Sequence, residues 1–300
     1  MADHVIGVDL GGTAIKLGRF TQTGDCVASL KLATPQPAVC DAVIDAIAAA
    51  IQELDPDHTA LAVGVGMPGP ADVQGRIAKL AINLPGWVNI PLAEQLEARL
   101  GLPTVVGNDA NCAGLGEAWL GAGRRWRNWI LLTLGTGVGG AVFLNGDLFV
   151  GHNGTAGELG LVTVDLNGPL CNSGNQGSLE QHVSAQAIRR RTGLEPGTLA
   201  AKAEAGDADA IAFWQQYGRE LAAGIASTVY VLAPEAVILG GGISGASALF
   251  LPTLQSELNS RVKPTSREGL QIAIAQLGNE AGMTGAAYLA WQKLHQNIDQ

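Results

Sequence analysis

The sequence lacks several features that identify whole classes of protein. No stretch reaches the roughly 18 uncharged apolar residues of a membrane span, and the N-terminus has no basic segment of the kind that opens a secretory leader. None of the four cysteines forms a Cys-x-x-Cys pair, and a chain of 300 residues without a leader is not expected to carry a disulfide framework. These absences predict a cytoplasmic protein that does not enter a membrane.

Basic residues are also scarce. The formal net charge is -9, whereas a surface that binds a nucleic acid is normally basic, so we expect no nucleic-acid partner. Hydrophobic residues make up 47% of the chain, which excludes a disordered protein. The 41 glycines cluster in short runs, a pattern typical of tight turns and of backbone that approaches a ligand closely.

Short apolar runs alternate with Ala-rich helical segments, which predicts an α/β fold. One early strand ends in Asp9–Thr13 (DLGGT), and a later strand ends in Thr133–Gly137 (TLGTG). Each is followed by a second apolar strand and a turn. We interpret this recurrence as an internal duplication that gives two lobes, with a ligand-binding cleft between them. Farther along, the pattern predicts helices over residues 178–191 and 208–232.

The first glycine turn carries residues that suit a phosphate group. Gly11 and Gly12 let backbone N–H groups point at an anion without obstruction by a Cβ, and Thr13 adds a hydroxyl donor. Asp9 could hold Mg²⁺ through water, and Lys16 could reach a phosphate as a point charge. The spacing matches neither a Walker A motif nor a dinucleotide fingerprint. An ordinary hairpin with a solvated lysine is the alternative interpretation.

Two more glycine runs extend this pattern. Leu134–Gly140 occupies the duplicated position in the second half, and two such turns predict two clamps on one polyphosphate. A third run, Gly240–Gly242, lies between a strand and a helix. Glycines there permit the close approach of a flat group such as adenine or its ribose. A tight strand-to-helix turn would explain the third run equally well.

Four polar positions complete the set of candidate site residues. Asp109 lies where a short apolar strand ends and a helix begins, so it could be the helix N-cap, a proton acceptor, or both. A weak base is sufficient for phosphoryl transfer, which depends mostly on positioning. Asn83, Glu158 and Glu180 offer the amides and carboxylates that a polyhydroxylated ligand needs, although such residues more often lie on the surface.

Taken in order, these motifs resemble the ROK family (repressors, open reading frames and sugar kinases). The similarity runs from about residue 5 to residue 287. Its most specific pieces are Gly64–Pro70, Asn83–Trp87, Asn108–Asn111, Leu134–Gly140 and Leu239–Ser244. The resemblance implies an α/β, two-lobed, actin-like ATPase fold (ribonuclease H-like), duplicated, with an interlobe cleft. We expect a small N-terminal lobe of residues 1–119, joined by a C-terminal helix of residues 281–300, and a large lobe of residues 120–280.

The resemblance also implies roles for individual residues in the transfer of a phosphoryl group from ATP to a hexose, with glucose as the expected sugar. Asp109 would be the catalytic base that takes the proton of the sugar 6-hydroxyl. ATP would be bound by Gly11, Gly12, Thr13, Lys16, Thr136, Gly137, Gly241 and Gly242, with Mg²⁺ near Asp9. The sugar would be bound by Gly69, Asn83, Asn108, Asp109, Glu158 and Glu180. The family resemblance further suggests a homodimer.

The sequence departs from the family at one place. Many members carry a structural zinc site with the pattern His-x9-Cys-x-Cys-x4-Cys, just after the segment that Glu158 matches. Here those four positions hold Leu161, Cys171, Ser173 and Ser178. A structural Zn²⁺ needs four nitrogen or sulfur ligands, so we predict no structural zinc and expect hydrogen bonds to hold the loop 166–177. The missing histidine normally contacts the sugar, which leaves the identity of the sugar open.

Other functions of the same family remain as alternatives. A repressor needs an N-terminal helix-turn-helix, and a phosphate turn that begins at Asp9 leaves no room for one. A sugar-binding regulator would not need Asp109, Thr13 and Thr136 together. Polyphosphate could replace ATP, but a long polyanion favours a basic groove, and Gly240–Gly242 favours an adenosine. Mannose, fructose and N-acetylated amino sugars stay open beside glucose.

Overall fold

The computed structural model describes residues 3–81 and 84–298. The chain divides into two compact units. The first contains the chain up to Arg124, the segment Leu148–Ala156 and the chain from Asn279 onward. The second contains Arg125–Asp147 and Gly157–Gly278.

Strands and helices alternate through most of the chain. The strands are β1 (His4–Leu10), β2 (Ala14–Thr21), β3 (Cys26–Ala33), β4 (Ala60–Met67), β5 (Ala78–Leu80), β6 (Val88–Ile90), β7 (Thr104–Asn108), β8 (Trp129–Leu134), β9 (Val138–Leu144), β10 (Asp147–Leu148), β11 (Ala236–Gly240) and β12 (Gln271–Ile274). The α-helices are α1 (Cys40–Leu54), α2 (Leu92–Leu100), α3 (Asp109–Trp119), α4 (Glu180–Val183), α5 (Ala185–Thr192), α6 (Pro196–Glu204), α7 (Ala208–Leu232), α8 (Ser247–Arg261) and α9 (Ala281–Ile298). In the part of the chain that the structure describes, no helix is long and apolar enough to cross a membrane.

A five-stranded sheet in the order β3-β2-β1-β4-β7 forms the centre of the first unit. β1, β2 and β3 pair antiparallel, whereas β4 and β7 extend the sheet in parallel with β1. Asp9 pairs with Gly66, and Gly66 pairs with Gly107, so β1, β4 and β7 end along one edge of the sheet. Loops that follow parallel strands at such an edge are the usual place for a ligand in α/β proteins.

The second unit repeats this topology. Its five-stranded sheet has the order β10-β9-β8-β11-β12, in which β8 pairs antiparallel with β9 and parallel with β11, and β12 continues parallel to β11. The strand order is that of the first sheet, with β8 in the place of β1. The directions of β8, β9, β11 and β12 match those of β1, β2, β4 and β7. The glycine turn of residues 11–13 therefore corresponds to the turn of residues 135–137, and the predicted internal duplication is confirmed.

A compact aromatic core supports the second sheet. Trp214 and Tyr217 of α7 and Phe250 of α8 are fully buried, and their rings contact one another at centroid distances of 5.0–6.0 Å. The Tyr217 hydroxyl donates a hydrogen bond of 2.9 Å to the carbonyl of Val183, the last residue of α4. The short helix α4 is thus fixed to the longest helix of the unit.

Glycines let α9 lie directly on the first sheet and on α3. A Cβ at Gly7 or at Gly64 would overlap backbone carbonyl oxygens of α9, those of Met283 and Ala286 respectively. A Cβ at Gly285 of α9 would overlap a carbonyl oxygen of α3. Because backbone meets backbone at these points, no side chain can be added without displacing a whole element.

One expectation from the sequence differs from the structure. The single helix expected over residues 178–191 is interrupted at Ser184, whose hydroxyl caps α5 by accepting a hydrogen bond of 3.1 Å from the Ala187 N–H. The lobe boundaries expected at residues 119–120 and 280–281 remain a prediction. Leu148–Ala156 lies in the first compact unit, where a Cβ at Gly154 would overlap the Ala71 carbonyl oxygen.

We predict that Gly64→Ala lowers the free energy of unfolding by about 3 kcal/mol, at the upper end for an overpacked core, because the backbone of α9 must move away from β4. Urea denaturation followed by circular dichroism measures this change. Gly197→Ala in α6 is the matched control, because its Cβ meets nothing within 4 Å. A Gly64→Ala protein as stable as the Gly197→Ala protein would contradict the backbone contact.

Candidate functional site

The turn between β1 and β2 is anchored through its carbonyl groups. The Gly11 carbonyl accepts a hydrogen bond of 2.6 Å from the Thr34 hydroxyl, and the Gly12 carbonyl accepts one of 3.1 Å from Gln36. The Thr13 carbonyl accepts one of 3.1 Å from the Thr34 N–H. Among the residues that the structure describes, the N–H groups of Gly12 and Thr13 are assigned no acceptor. A turn with anchored carbonyls and available N–H groups suits an anion.

Lys16 lies beside Asp9. Its Nζ atom is 3.0 Å from Asp9 Oδ2 and 3.1 Å from the carbonyl oxygen of Asn279, just before α9. The cross-strand pairing of Asp9 with Lys16 builds this ion pair into the hairpin. A phosphate contact by Lys16 and a Mg²⁺ contact by Asp9 remain predictions, and both would compete with this pair. The Asp9 carboxylate also lies against Gly282 of α9, where a Cβ would come within 2.9 Å of its Cγ.

Asn108, not Asp109, is the N-cap of α3. Its Oδ1 atom accepts a hydrogen bond of 3.0 Å from the Asn111 N–H, because its own backbone is extended while Asp109 is already helical. Asp109 therefore occupies the first helical position, and its Oδ1 atom accepts a hydrogen bond of 2.8 Å from the Ala110 N–H. The positive end of the α3 dipole stabilises a carboxylate at this position.

Asn108 also connects α3 to the loop after β4. Its Nδ2 atom donates a hydrogen bond of 3.1 Å to the carbonyl of Gly69. Gly69 has a φ of 92°, and a Cβ there would overlap the Leu80 carbonyl oxygen, so the position requires glycine. Two predicted sugar-binding positions are thus in direct contact. A third, Asn83, lies outside the described residues.

Asp9 and Asp109 share a neighbourhood in the first unit. Burial raises the pKa of the Cys112 thiol, and the charges of Asp109 and Asp9 raise it further. Cys112 lies on the first turn of α3, next to the sheet edge where β1 and β7 end. The structure therefore places both predicted carboxylates around one buried position.

The turn between β8 and β9 is anchored by a side chain. Glu180, the first residue of α4, accepts a hydrogen bond of 2.9 Å from the Val138 N–H, and a Cβ at Gly137 would overlap its Oε2 atom. The Gly135 carbonyl accepts a hydrogen bond of 2.8 Å from the Ala185 N–H. Glu180, predicted as a sugar-binding residue, therefore also holds the second glycine turn, next to Thr136. Sequence reasoning missed this contact, which no local pattern indicates.

The third glycine run lies next to the second turn. Gly240 of β11 pairs with Thr133 of β8, and a Cβ at Gly241 would overlap the Leu134 carbonyl oxygen. Gly241 has a φ of 81°, a backbone angle that residues with a side chain rarely adopt. A Cβ at Gly242 would meet nothing within 4 Å, so this position opens onto free space beside the turn.

Glu158 lies near Glu180 in the second unit. Burial raises the pKa of the Glu158 carboxyl group, and the negative charge of Glu180 raises it further. Glu158 directly precedes the short helical turn Leu159–Leu161. Carboxylates accept hydrogen bonds from hydroxyl groups, so Glu158 and Glu180 remain candidates for a ligand with several hydroxyl groups.

Hydrogen bonds close the loop that the sequence predicted to lack zinc. The Gly177 carbonyl accepts hydrogen bonds of 2.8 and 3.2 Å from the Val164 and Asp165 N–H groups, and the Cys171 N–H donates one of 2.8 Å to the Asn175 carbonyl. Within residues 3–81 and 84–298, no group of three His, Cys, Asp or Glu side chains could hold a metal ion. The absence of a structural zinc remains a prediction, for which metal analysis is the test.

Each unit therefore gathers its own set of candidate residues. In the first unit the edge of the sheet carries Asp9, Gly11, Gly12, Thr13, Lys16, Gly69, Asn108 and Asp109. In the second unit the turns around Glu180 carry Thr136, Gly137, Glu158, Gly241 and Gly242. Sequence reasoning missed Asn279 and Asn175, because neither stands in a motif that carries chemistry of its own.

Comparison with known proteins shows what the chain resembles. The model of the ROK family matches residues 5–293. The chain is 35% identical to a glucokinase of Thermotoga maritima, with 97% of this chain and 98% of that protein covered. It is 31% identical to an N-acetyl-D-glucosamine kinase of Photobacterium profundum, with 96% and 99% covered.

A solved structure gives the same picture. A ROK family glucokinase from Streptomyces griseus, crystallised in complex with glucose and AMPPNP, matches with a TM-score of 0.84 and 34% identity. The match covers 96% of this chain and 99% of the Streptomyces chain. The similarity in fold and in sequence therefore extends over nearly the whole length of both chains.

We predict that Glu180→Gln lowers the pKa of the Glu158 carboxyl group, because it removes the neighbouring negative charge. Burial remains and keeps this pKa above the ordinary value of a glutamate. A ¹³C NMR titration of glutamate-labelled protein measures the change. The exposed Glu204 supplies the control, since Glu204→Gln should leave the pKa of Glu158 unaltered. An unchanged pKa in the Glu180→Gln protein would show that the two carboxylates do not interact.

Proposed function

The chain belongs to the ROK family, and from this premise we propose that it is an ATP-dependent sugar kinase that converts glucose to glucose 6-phosphate. One observation carries the proposal. Two glycine turns with their carbonyls anchored occupy equivalent places in duplicated sheets, and Asp109 begins a helix at the sheet edge of the first of them. The Streptomyces relative, whose crystals hold glucose and AMPPNP, an analogue of ATP, supports this choice of substrates.

The phosphate donor is assigned to the glycine turns. The N–H groups of Gly12 and Thr13 would bind phosphate oxygens, and so would the turn at Thr136 and Gly137. Gly242, which opens onto free space beside the second turn, leaves room for the adenosine. A groove for polyphosphate would have to bind a long polyanion, and the net charge of -9 disfavours it.

The residues present fit a Mg²⁺ ion that is held mainly by phosphate oxygens and water. Such an ion is usually bound by one or two carboxylates, and Asp9 is the carboxylate at the first turn. Mg²⁺ would supply positive charge to the phosphate oxygens. Lys16, which is 3.0 Å from Asp9, would then be released from its ion pair and could face the same phosphates.

Asp109 is assigned the proton of the attacking hydroxyl. Its carboxylate would accept the proton of the sugar 6-hydroxyl as the oxygen forms a bond to the γ-phosphorus and the bond from that phosphorus to the β,γ-bridging oxygen breaks. ADP leaves with the electrons of the broken bond. The capping bonds of Asn108 hold the start of α3, so Asp109 needs little reorganisation during the reaction.

The sugar is assigned to the positions that the family resemblance implies. These are Gly69, Asn83, Asn108, Asp109, Glu158 and Glu180. Glucose is the preferred sugar because the full-length relative from Thermotoga is a glucokinase. The Photobacterium relative is an N-acetyl-D-glucosamine kinase, so an N-acetylated amino sugar is the second candidate. We further propose a homodimer, as the family resemblance implies, in the cytoplasm, where ATP and free sugar are both present.

An assay of sugar-phosphate formation, the product that both donors share, tests the proposal. MgATP and polyphosphate are each offered with glucose, mannose, fructose and N-acetylglucosamine. We expect turnover with MgATP and glucose. Turnover with another sugar alone would change the assigned sugar but support the assigned reaction, phosphoryl transfer. No turnover with any pair, in a folded protein that still binds sugar, would replace the kinase by a sugar-binding regulator.

We predict that Asp109→Asn lowers kcat by at least about a hundredfold, the usual contribution of a general base. The affinity for glucose, measured by calorimetry, should stay nearly the same, because asparagine keeps the size and most hydrogen bonds of the side chain. Asp57→Asn, at an exposed position of the first unit, is the control and should keep full activity. A near-normal kcat for Asp109→Asn would remove Asp109 from the role of base.

A further inference from the structure

One loop of the second unit separates the two acidic residues assigned to the sugar. It leaves the short helical turn Leu159–Leu161, directly after Glu158, and ends at Glu180, the first residue of α4. The distance between the two carboxylates therefore depends on how this loop is closed. The importance of that distance rests on the proposed function, because that function gives the two carboxylates their common ligand.

Backbone hydrogen bonds close the base of the loop and parts of its outer segment. At the base, the Leu179 N–H donates a hydrogen bond of 2.8 Å to the Val162 carbonyl. Farther out, the Gly177 N–H donates one of 2.8 Å to the Pro169 carbonyl. Neither bond reaches the carbonyl of Leu161, the last residue of the helical turn that follows Glu158.

The side-chain amide of Asn175 makes that connection. Its Nδ2 atom donates hydrogen bonds to the Leu161 carbonyl at 2.8 Å and to Thr163 Oγ1 at 2.9 Å. Its Oδ1 atom accepts a hydrogen bond of 2.7 Å from the Gln176 N–H. Asn175 is half-buried, and its bond to the Leu161 carbonyl is partly shielded from water. This amide thus joins the part of the loop that leads to Glu180 to the part that follows Glu158.

The connection continues to both carboxylates. On the side of the loop that follows Glu158, the Leu161 N–H donates a hydrogen bond of 3.0 Å to the Glu158 carbonyl. Asn175 therefore holds Leu161, and Leu161 holds Glu158. On the side of the loop that leads to Glu180, Asn175 lies five residues before Glu180, whose carboxylate accepts a hydrogen bond from the Val138 N–H. A displacement of the loop would therefore move Glu158 relative to Glu180.

We infer that Asn175 is a positioning residue for sugar binding, which sets the separation of Glu158 and Glu180 through the Leu161 carbonyl. A neutral amide suits this role, because it donates to a carbonyl and accepts from an N–H at once. An aspartate of the same shape would keep the acceptor and lose the donor. The first glycine turn is anchored by Thr34 and Gln36, and the second is held by the bond between Glu180 and the Val138 N–H. A displacement of Glu158 relative to Glu180 therefore leaves both turns in place.

The test compares Asn175 with Asn172, an exposed asparagine of the same loop. Both residues are changed to alanine and to aspartate in the full-length protein. We expect Asn175→Ala and Asn175→Asp to raise the KM for the sugar about tenfold, because displaced binding groups lose most of their effect. The KM for ATP and kcat at saturating sugar should stay within about twofold of the unaltered protein. Asn172→Ala and Asn172→Asp should change none of these values, and Asn172→Asp controls for the added charge.

The split between kinetic constants separates positioning from a general loss of structure. An unchanged sugar KM in both Asn175 variants would overturn the inference. So would a parallel loss of kcat, of ATP affinity and of thermal stability, since that pattern belongs to a damaged fold. The unaltered protein is assayed first: if it phosphorylates no sugar, the proposed function fails, and calorimetric sugar affinities of the same four variants then decide the role of Asn175 by themselves.

Discussion

The backbone contact of α9 with the first sheet and with α3 is the constraint on which the candidate site depends. Gly7 and Gly64 bring α9 onto β1 and β4, and Gly285 brings it onto α3. The same helix meets the Asp9 carboxylate through Gly282. The positions of Asp9 and of the start of α3 are therefore set by one rigid element from the end of the chain. Contacts of this kind leave little freedom, because backbone atoms cannot adopt another rotamer.

The two halves of the duplication hold their glycine turns by different means. In the first unit, Thr34 and Gln36 bind the carbonyls of the turn. In the second unit, Glu180 accepts from an N–H next to the turn while its charge raises the pKa of Glu158. The second turn is thus linked directly to residues assigned to the sugar. The duplicated sheets therefore share their topology but not the side chains that anchor their turns.

The sequence was sufficient for the strands and for the glycine turns that follow them, because both depend on local patterns. Apolar runs that end in glycine turns indicated the positions of β1 and β8 and the duplication. Contacts between distant residues were not predictable in this way. Nothing near Asn175 indicates that its amide reaches Leu161, and Lys16 gave no sign of its contact with Asn279. Asp109 was a candidate N-cap because aspartate and asparagine are about equally preferred there, and only the backbone geometry decides for Asn108.

The central claim is that this chain transfers a phosphoryl group from ATP to a primary hydroxyl of a hexose. Proton-coupled ³¹P NMR of the protein with MgATP and glucose observes that transfer directly. We expect the γ-phosphate signal of ATP to decline while a phosphomonoester signal grows, coupled to the two protons at carbon 6 of glucose. Growth of inorganic phosphate alone, or a phosphate coupled to the single proton at carbon 1, would contradict this claim.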